Sequence, residues 1–149
     1  MDLDTVKTFI SSFTVNEEEV TSFLENKKLF VKFNHIFLVE KGFSGKKVCD
    51  NQLLYIQLER LLPSKYFLLE LKDLVSRSLF LKSRDVSLKF LYGKDLPAHL
   101  DYGVKLEEGK RYLVDFQGET LGYVQCISEN GNLRLVNEFH IGKYLKEGN

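Results

Sequence analysis

The stretch from Arg111 to Asn137 constrains the fold more than any other part of the chain. Three runs of β-forming residues, "RYLVDF", "LGYVQCI" and "NLRLVN", follow one another almost without spacers. Between them stand "QGE" and "ENGN". Glycine and asparagine take positive φ at little cost, and a two-residue hairpin turn demands it. The same texture begins near Ser78. "SLFLKS" reads as a strand, and "LKFLYG" reads as another that ends at Gly93. A short helix is expected after Gly93, closed by Gly103. Several short strands at this spacing predict a small β-barrel or sandwich.

The first half has a different texture. Val6, Phe9, Ile10 and Phe13 repeat as one face of an amphipathic helix, with Asp2 and Asp4 at its favourable end. "TVNE" offers a capping box, Thr14 with Glu17, that opens a second helix through Val20, Phe23 and Leu24. The acids Glu17, Glu18 and Glu19 suit the first turn of that helix. Leu29–Phe33 and Ile36–Glu40 flank Asn34-His35 and predict a β-hairpin. Asn51 to Leu62 carries a leucine stripe that predicts a helix stopped by Pro63. "KYFLLEL" reads as a strand. The expected fold class is therefore α+β, an N-terminal α+β domain over 1–77 packed on a β-rich domain over 78–149.

Composition narrows the functions. The 149 residues are 44% hydrophobic, enough for a substantial core. Lys+Arg and Asp+Glu are both 21, so nucleic-acid binding needs a local basic patch rather than bulk charge. Cys49 and Cys126 have neither disulfide-framework nor zinc spacing and read as reduced, buried thiols. No apolar run fits a signal peptide or a membrane span, which makes a cytoplasmic protein without a membrane partner the expectation.

Catalytic patterns are weak. "KGFSGKK", Lys41 to Lys47, holds G-x-x-G and two lysines but not the spacing of a phosphate-binding P-loop. The KH fold places G-x-x-G between helices, whereas here it follows a strand. Asp95 and His99 are spaced i, i+4, which on a helix brings two metal ligands together, too few for a site. No serine stands in G-x-S-x-G. Glu107-Glu108 falls in a turn as ordinary solvated charge. A non-enzyme without cofactor or metal is expected.

Several pieces carry a family likeness. "FLYGKD", Phe90–Asp95, resembles the "FLYGN" turn of the Nip-seven family of ribosome-biogenesis proteins. "LFLK", Leu79–Lys82, looks like the strand that opens that family's C-terminal PUA domain. "RYLVDFQGETLGYVQC", Arg111–Cys126, is similar to its hairpin. "HIGKYLK", His140–Lys146, resembles its closing "DIGEYVR". The pieces stand in the family's order and cover most of the chain after Ser78. The N-terminal part has a pattern compatible with the family's pre-PUA domain. The closing segment departs from the family: His140 and Lys143 stand where it has acids, and both changes add basic character.

The resemblance implies a PUA β-pseudobarrel that binds RNA, in a non-catalytic factor of pre-rRNA processing and large ribosomal subunit assembly. It implies rRNA or a pre-ribosomal particle as partner, with a ribosome-assembly protein as a possible second. By that reading Gly93 and Gly103 let the backbone approach RNA, and Lys94, His99, Lys105, Lys143 and Lys146 contact phosphates. Tyr92, Tyr102 and Tyr144 are candidates to stack on bases, with packing expected for Tyr92 and Tyr144. The rival functions are a protein-interaction adaptor and an accessory subunit of an RNA-modifying enzyme.

Overall fold

The computed structural model describes residues 2–13, 16–32, 35–43, 53–57, 60–63 and 65–142. The chain is mixed α+β and divides into two compact units. One holds residues 1–11 and 15–74, the other residues 12–14 and 75–149.

The first unit runs α1 (Leu3–Ser11), α2 (Glu17–Glu25), β1 (Lys27–Lys32), β2 (His35–Glu40), β3 (Leu53–Gln57), β4 (Arg60–Pro63) and α3 (Lys65–Leu74). Val6, Phe9 and Ile10 are buried, as the helical spacing of α1 predicts. The helix stops at Ser11, so Phe13 lies beyond it. There it pairs as an isolated bridge with Arg111 and meets Tyr123 edge to face, inside the second unit. The cap of α2 is Asn16, whose Oδ1 accepts from Glu18 N at 2.9 Å and Glu19 N at 3.4 Å. Thr14 of the expected capping box lies outside the described residues. The β1–β2 hairpin forms, with Lys32 opposite His35, one residue off the expected turn.

Two segments of this unit reverse the sequence expectation. Residues 53–57 and 60–63 pair as antiparallel strands, with Tyr55 opposite Leu62 and Ile56 opposite Leu61, and not as a helix. A dense leucine pattern fits either element, and antiparallel pairing with β2 decides for strand. Pro63 is tolerated because β4 is the edge of the sheet, whose order is β1-β2-β3-β4. "KYFLLEL" lies in α3 and not in a strand. Phe67, Leu68 and Leu71 are buried while Leu69 is exposed, which is a helical period.

The second unit runs β5 (Ser78–Leu81), α4 (Arg84–Leu91), β6 (Arg111–Phe116), β7 (Glu119–Glu129) and β8 (Asn132–His140), in sheet order β5-β6-β7-β8. Strands β6 to β8 are the antiparallel series read from the sequence. Gln117 and Gly118 have φ of 50° and 85°, and Asn130 and Gly131 of 53° and 82°. Positive φ at both central residues is the type I′ turn that matches strand twist. "LKFLYG" departs from expectation: it is the end of α4 and its C-terminal turn, not a strand, and no helix lies between Gly93 and Gly103. Ser83 starts α4 by accepting Val86 N on its Oγ at 3.2 Å.

β5 is parallel to β6, so the chain needs a long crossover between them. Helix α4 and the connection 92–110 supply it. Leu96 N donates to Leu135 O on the outer edge of β8 at 3.1 Å, and Phe80 N on the outer edge of β5 donates to Tyr102 O at 3.3 Å. In a flat sheet of four strands, segments outside opposite edges stand about 24 Å apart at about 4.8 Å per gap. The chain from Leu96 to Tyr102 reaches only about 20 Å fully extended. The sheet is therefore curled, and this connection straps its two edges. Among the described residues no sheet closes into a barrel by strand pairing. Bulges at Leu121 on β7 and Glu138 on β8 help the curl. Leu79, Phe90, Tyr112, Val124 and Leu135 form the core beneath the strap.

Candidate nucleic-acid interface

The turn after α4 is built from the helix end. Gly93, at φ 93°, follows the C-cap Tyr92. Gly93 N donates to Phe90 O at 2.9 Å and Lys94 N donates to Lys89 O at 3.1 Å. This pair of bonds is the Schellman closure, which needs a left-handed residue at the glycine position. A Cβ on Gly93 would find its nearest neighbour, His140 Nε2, at an ordinary 3.6 Å. Backbone conformation and not lack of space therefore selects glycine here. The closure sets Tyr92 outward, 68% exposed, against the packing expected for it. Lys94 is exposed beside it.

Strand β8 holds this turn in place. Asn137 Nδ2 donates to Phe90 O at 2.9 Å and Lys94 O at 3.0 Å, and Asn137 N donates to Asp95 Oδ1 at 2.9 Å. Arg134 donates to Asp95 Oδ2 at 2.8 Å and also bonds Glu129. These two carboxylates, Glu129 first, hold the Arg134 guanidinium above its ordinary range. Asp95 is thus a structural acceptor, and with no helix over 95–99 it does not share a helix face with His99. Sequence reading missed Asn137. Its one local signal is an asparagine inside a strand-forming run, where that residue is disfavoured.

The closing segment meets the same turn. A Cβ on Gly142 would lie 2.0 Å from Leu91 O and 2.9 Å from His140 Nδ1, so His140 and Gly142 pack against the α4 terminus. The two segments quoted as "FLYGKD" and "HIGKYLK" therefore meet in space through Leu91, Gly93, His140 and Gly142. Lys143, Tyr144 and Lys146 lie outside the described residues.

The remaining candidates sit further along the strap. His99 is exposed between the two edge contacts. Gly103, at φ 83°, follows the β5 edge contact, and its N–H donates to Asp101 Oδ1 at 2.9 Å. Lys105 is exposed two residues on. Lys94 thus precedes the β8 edge contact and Lys105 follows the β5 edge contact. Tyr102 is only 3% exposed and its hydroxyl donates to Pro97 O, which removes it as a base-stacking platform. Burial pushes its phenol up to about 12.

Charge around the strap is uneven. Arg111 pairs with Glu138, Arg134 with Glu129 and Asp95, and Lys89 with Asp85. Lys82, Arg84, Lys94 and Lys105 are exposed and make no ion pair among the described residues. Arg111 of β6 and Arg134 of β8 are neutralised, and among the described residues the cations flanking α4 and the strap are not. Cys126 is buried, and burial, with a smaller contribution from Glu108, pushes its thiol up, as suits a packing residue. Comparison with family models, curated proteins and solved structures finds no match to this chain.

Proposed function

We propose that this chain is a non-catalytic RNA-binding protein whose second unit holds single-stranded or irregular RNA. The observation that carries the reading is the turn Tyr92-Gly93-Lys94. It offers an exposed aromatic ring and, two residues on, a cation without an ion pair among the described residues, on a backbone fixed by the Schellman closure and by Asn137. Aromatic rings stack on bases without sequence preference, and neighbouring lysines neutralise phosphates. Lys82, Arg84 and Lys105 supply further unpaired charge. The curled, strapped sheet with its helix after the first strand is compatible with the pseudobarrel that the family resemblance implies. That resemblance extends the reading to pre-rRNA processing and large-subunit assembly.

A second reading, a protein-interaction adaptor, draws on Leu88. It is 44% exposed and lies one turn before Tyr92 on the same side of α4. Fluorescence anisotropy of a short labelled single-stranded RNA across a salt series separates the two. The RNA reading expects a log–log slope of about −0.7 for each phosphate neutralised, with roughly three to five such contacts. No binding at low salt rejects it and leaves the adaptor.

A further inference from the structure

Beside the strap lies a cleft of about 270 Å³, walled by Leu81 of β5, Val86 of α4, and Leu100 and Tyr102 of the connection. Leu81 and Tyr102 are buried, and the Tyr102 ring is fixed by its bond to Pro97 O, so the wall is formed before any ligand arrives. Sites for drug-sized ligands begin at roughly 300 Å³. This cleft suits something smaller.

Two opposite charges line the same cleft, Lys82 and Asp101. Both are exposed, which puts them at its mouth. They do not pair with each other, and among the described residues Lys82 pairs with nothing else. Asp101 spends Oδ1 on Gly103 N, which orients the carboxylate, and among the described residues Oδ2 takes no bond. An uncharged apolar molecule gains nothing from either group. A simple carboxylate gains from Lys82 and is repelled by Asp101. A small molecule with an apolar body and both charges close together satisfies all three features.

We propose that this cleft binds a free apolar α-amino acid of about the size of leucine. Its side chain lies against Leu81, Val86 and Leu100, its carboxylate faces Lys82 and its ammonium faces Asp101. The proposal is independent of the RNA reading, because no nucleic acid is needed to fill the cleft or to test it.

The test is a titration of the full ¹⁵N-labelled chain, followed by amide chemical shifts, with L-leucine, N-acetyl-leucine and leucinamide. Leucine is expected to shift residues 81–86 and 100–103. Each derivative, lacking one charge, should bind up to about five-fold more weakly, the range of an exposed ion pair. Lys82→Ala should abolish the preference for leucine over leucinamide. Asp101→Asn, which keeps the acceptor for Gly103 N, should abolish the preference over N-acetyl-leucine. Both side chains are exposed, and the amide spectrum itself reports whether each variant is folded. No shifts with millimolar leucine, or equal binding of all three ligands, overturns the proposal.

Discussion

The side-chain amide of Asn137 donates to the carbonyl of Lys94 at 3.0 Å, across 43 positions of sequence. The same nitrogen donates to Phe90 O at 2.9 Å, so one strand residue fastens both sides of the Tyr92-Gly93 turn. We predict that Asn137→Ala lowers stability by about 1–3 kcal/mol, the cost of leaving part-buried acceptors without donors. Asn137→Asp should cost more, because a carboxylate offers no N–H and faces two carbonyl oxygens. Urea denaturation reads both, and an unchanged midpoint in the alanine variant would show that water replaces the amide.

Gly93 and Gly122 are glycines for different reasons, and substitution should separate them. Gly93 sits at φ 93° with room for a Cβ, so only the backbone resists. Gly93→Ala should cost about 1–2 kcal/mol, Gly93→Asn less and Gly93→Val more. At Gly122 a Cβ would fall 2.0 Å from Phe139 O, so β7 and β8 would have to part. Gly122→Ala should therefore lower the melting temperature further than any Gly93 variant. An order led by Gly93→Val would mean that the β7–β8 contact relaxes freely.

The β6–β8 series was readable from sequence because its determinants are local. Gln117-Gly118 and Asn130-Gly131 hold the φ values that their turns require, whatever the rest of the chain does. Helix α4 was not readable in the same way. Val86, Leu88, Phe90 and Tyr92 alternate as a strand would, yet Phe90 is buried while Leu88 and Tyr92 are exposed. The Ser83 cap and the contacts of Asn137 settle that segment, and the latter come from far along the chain. Strands β3 and β4 misled in the opposite direction, since their strand character comes from pairing with β2 and with each other. At the candidate site, glycine marked the Gly93 turn correctly, but the packing expected for Tyr92 does not occur, because the closure of α4 turns its side chain outward. The roles of Asn137 and Arg134 depend on contacts with the strap and had no local signature.

Alkaline stability should report on Tyr102. Its phenol is pushed from its ordinary value near 10.0 up to about 12 by burial. The folded chain therefore keeps a proton that the unfolded chain loses first. This contribution is whole below about pH 10 and is lost as pH rises toward about pH 12. Burial also raises the Tyr112 phenol, so some loss will remain without Tyr102. We predict that Tyr102→Phe is less stable at neutral pH, having lost its bond to Pro97 O, but declines less steeply above pH 10. Parallel declines of the two proteins in circular dichroism would assign the alkaline transition elsewhere.

Tyr92 and Lys94 should separate RNA binding from protein docking, because the two functions ask different things of the same turn. Stacking needs a ring and not a hydroxyl, so Tyr92→Phe should bind RNA nearly as the parent does. Tyr92→Ala should lose about 1–3 kcal/mol of affinity, the value of one stacked base. Lys94→Glu should weaken binding and reduce the salt slope by about 0.7 or more, since it removes one phosphate contact and adds repulsion. Neither change should alter folding, because both side chains are exposed and the closure of α4 is made by backbone atoms. An adaptor behaves differently: Leu88→Ser and Tyr92→Ala would both weaken capture of its protein partner, while Lys94→Glu would leave RNA affinity as low as before. Measured together by anisotropy, equal RNA affinity in Tyr92→Ala, Lys94→Glu and the parent would remove this turn from any RNA site.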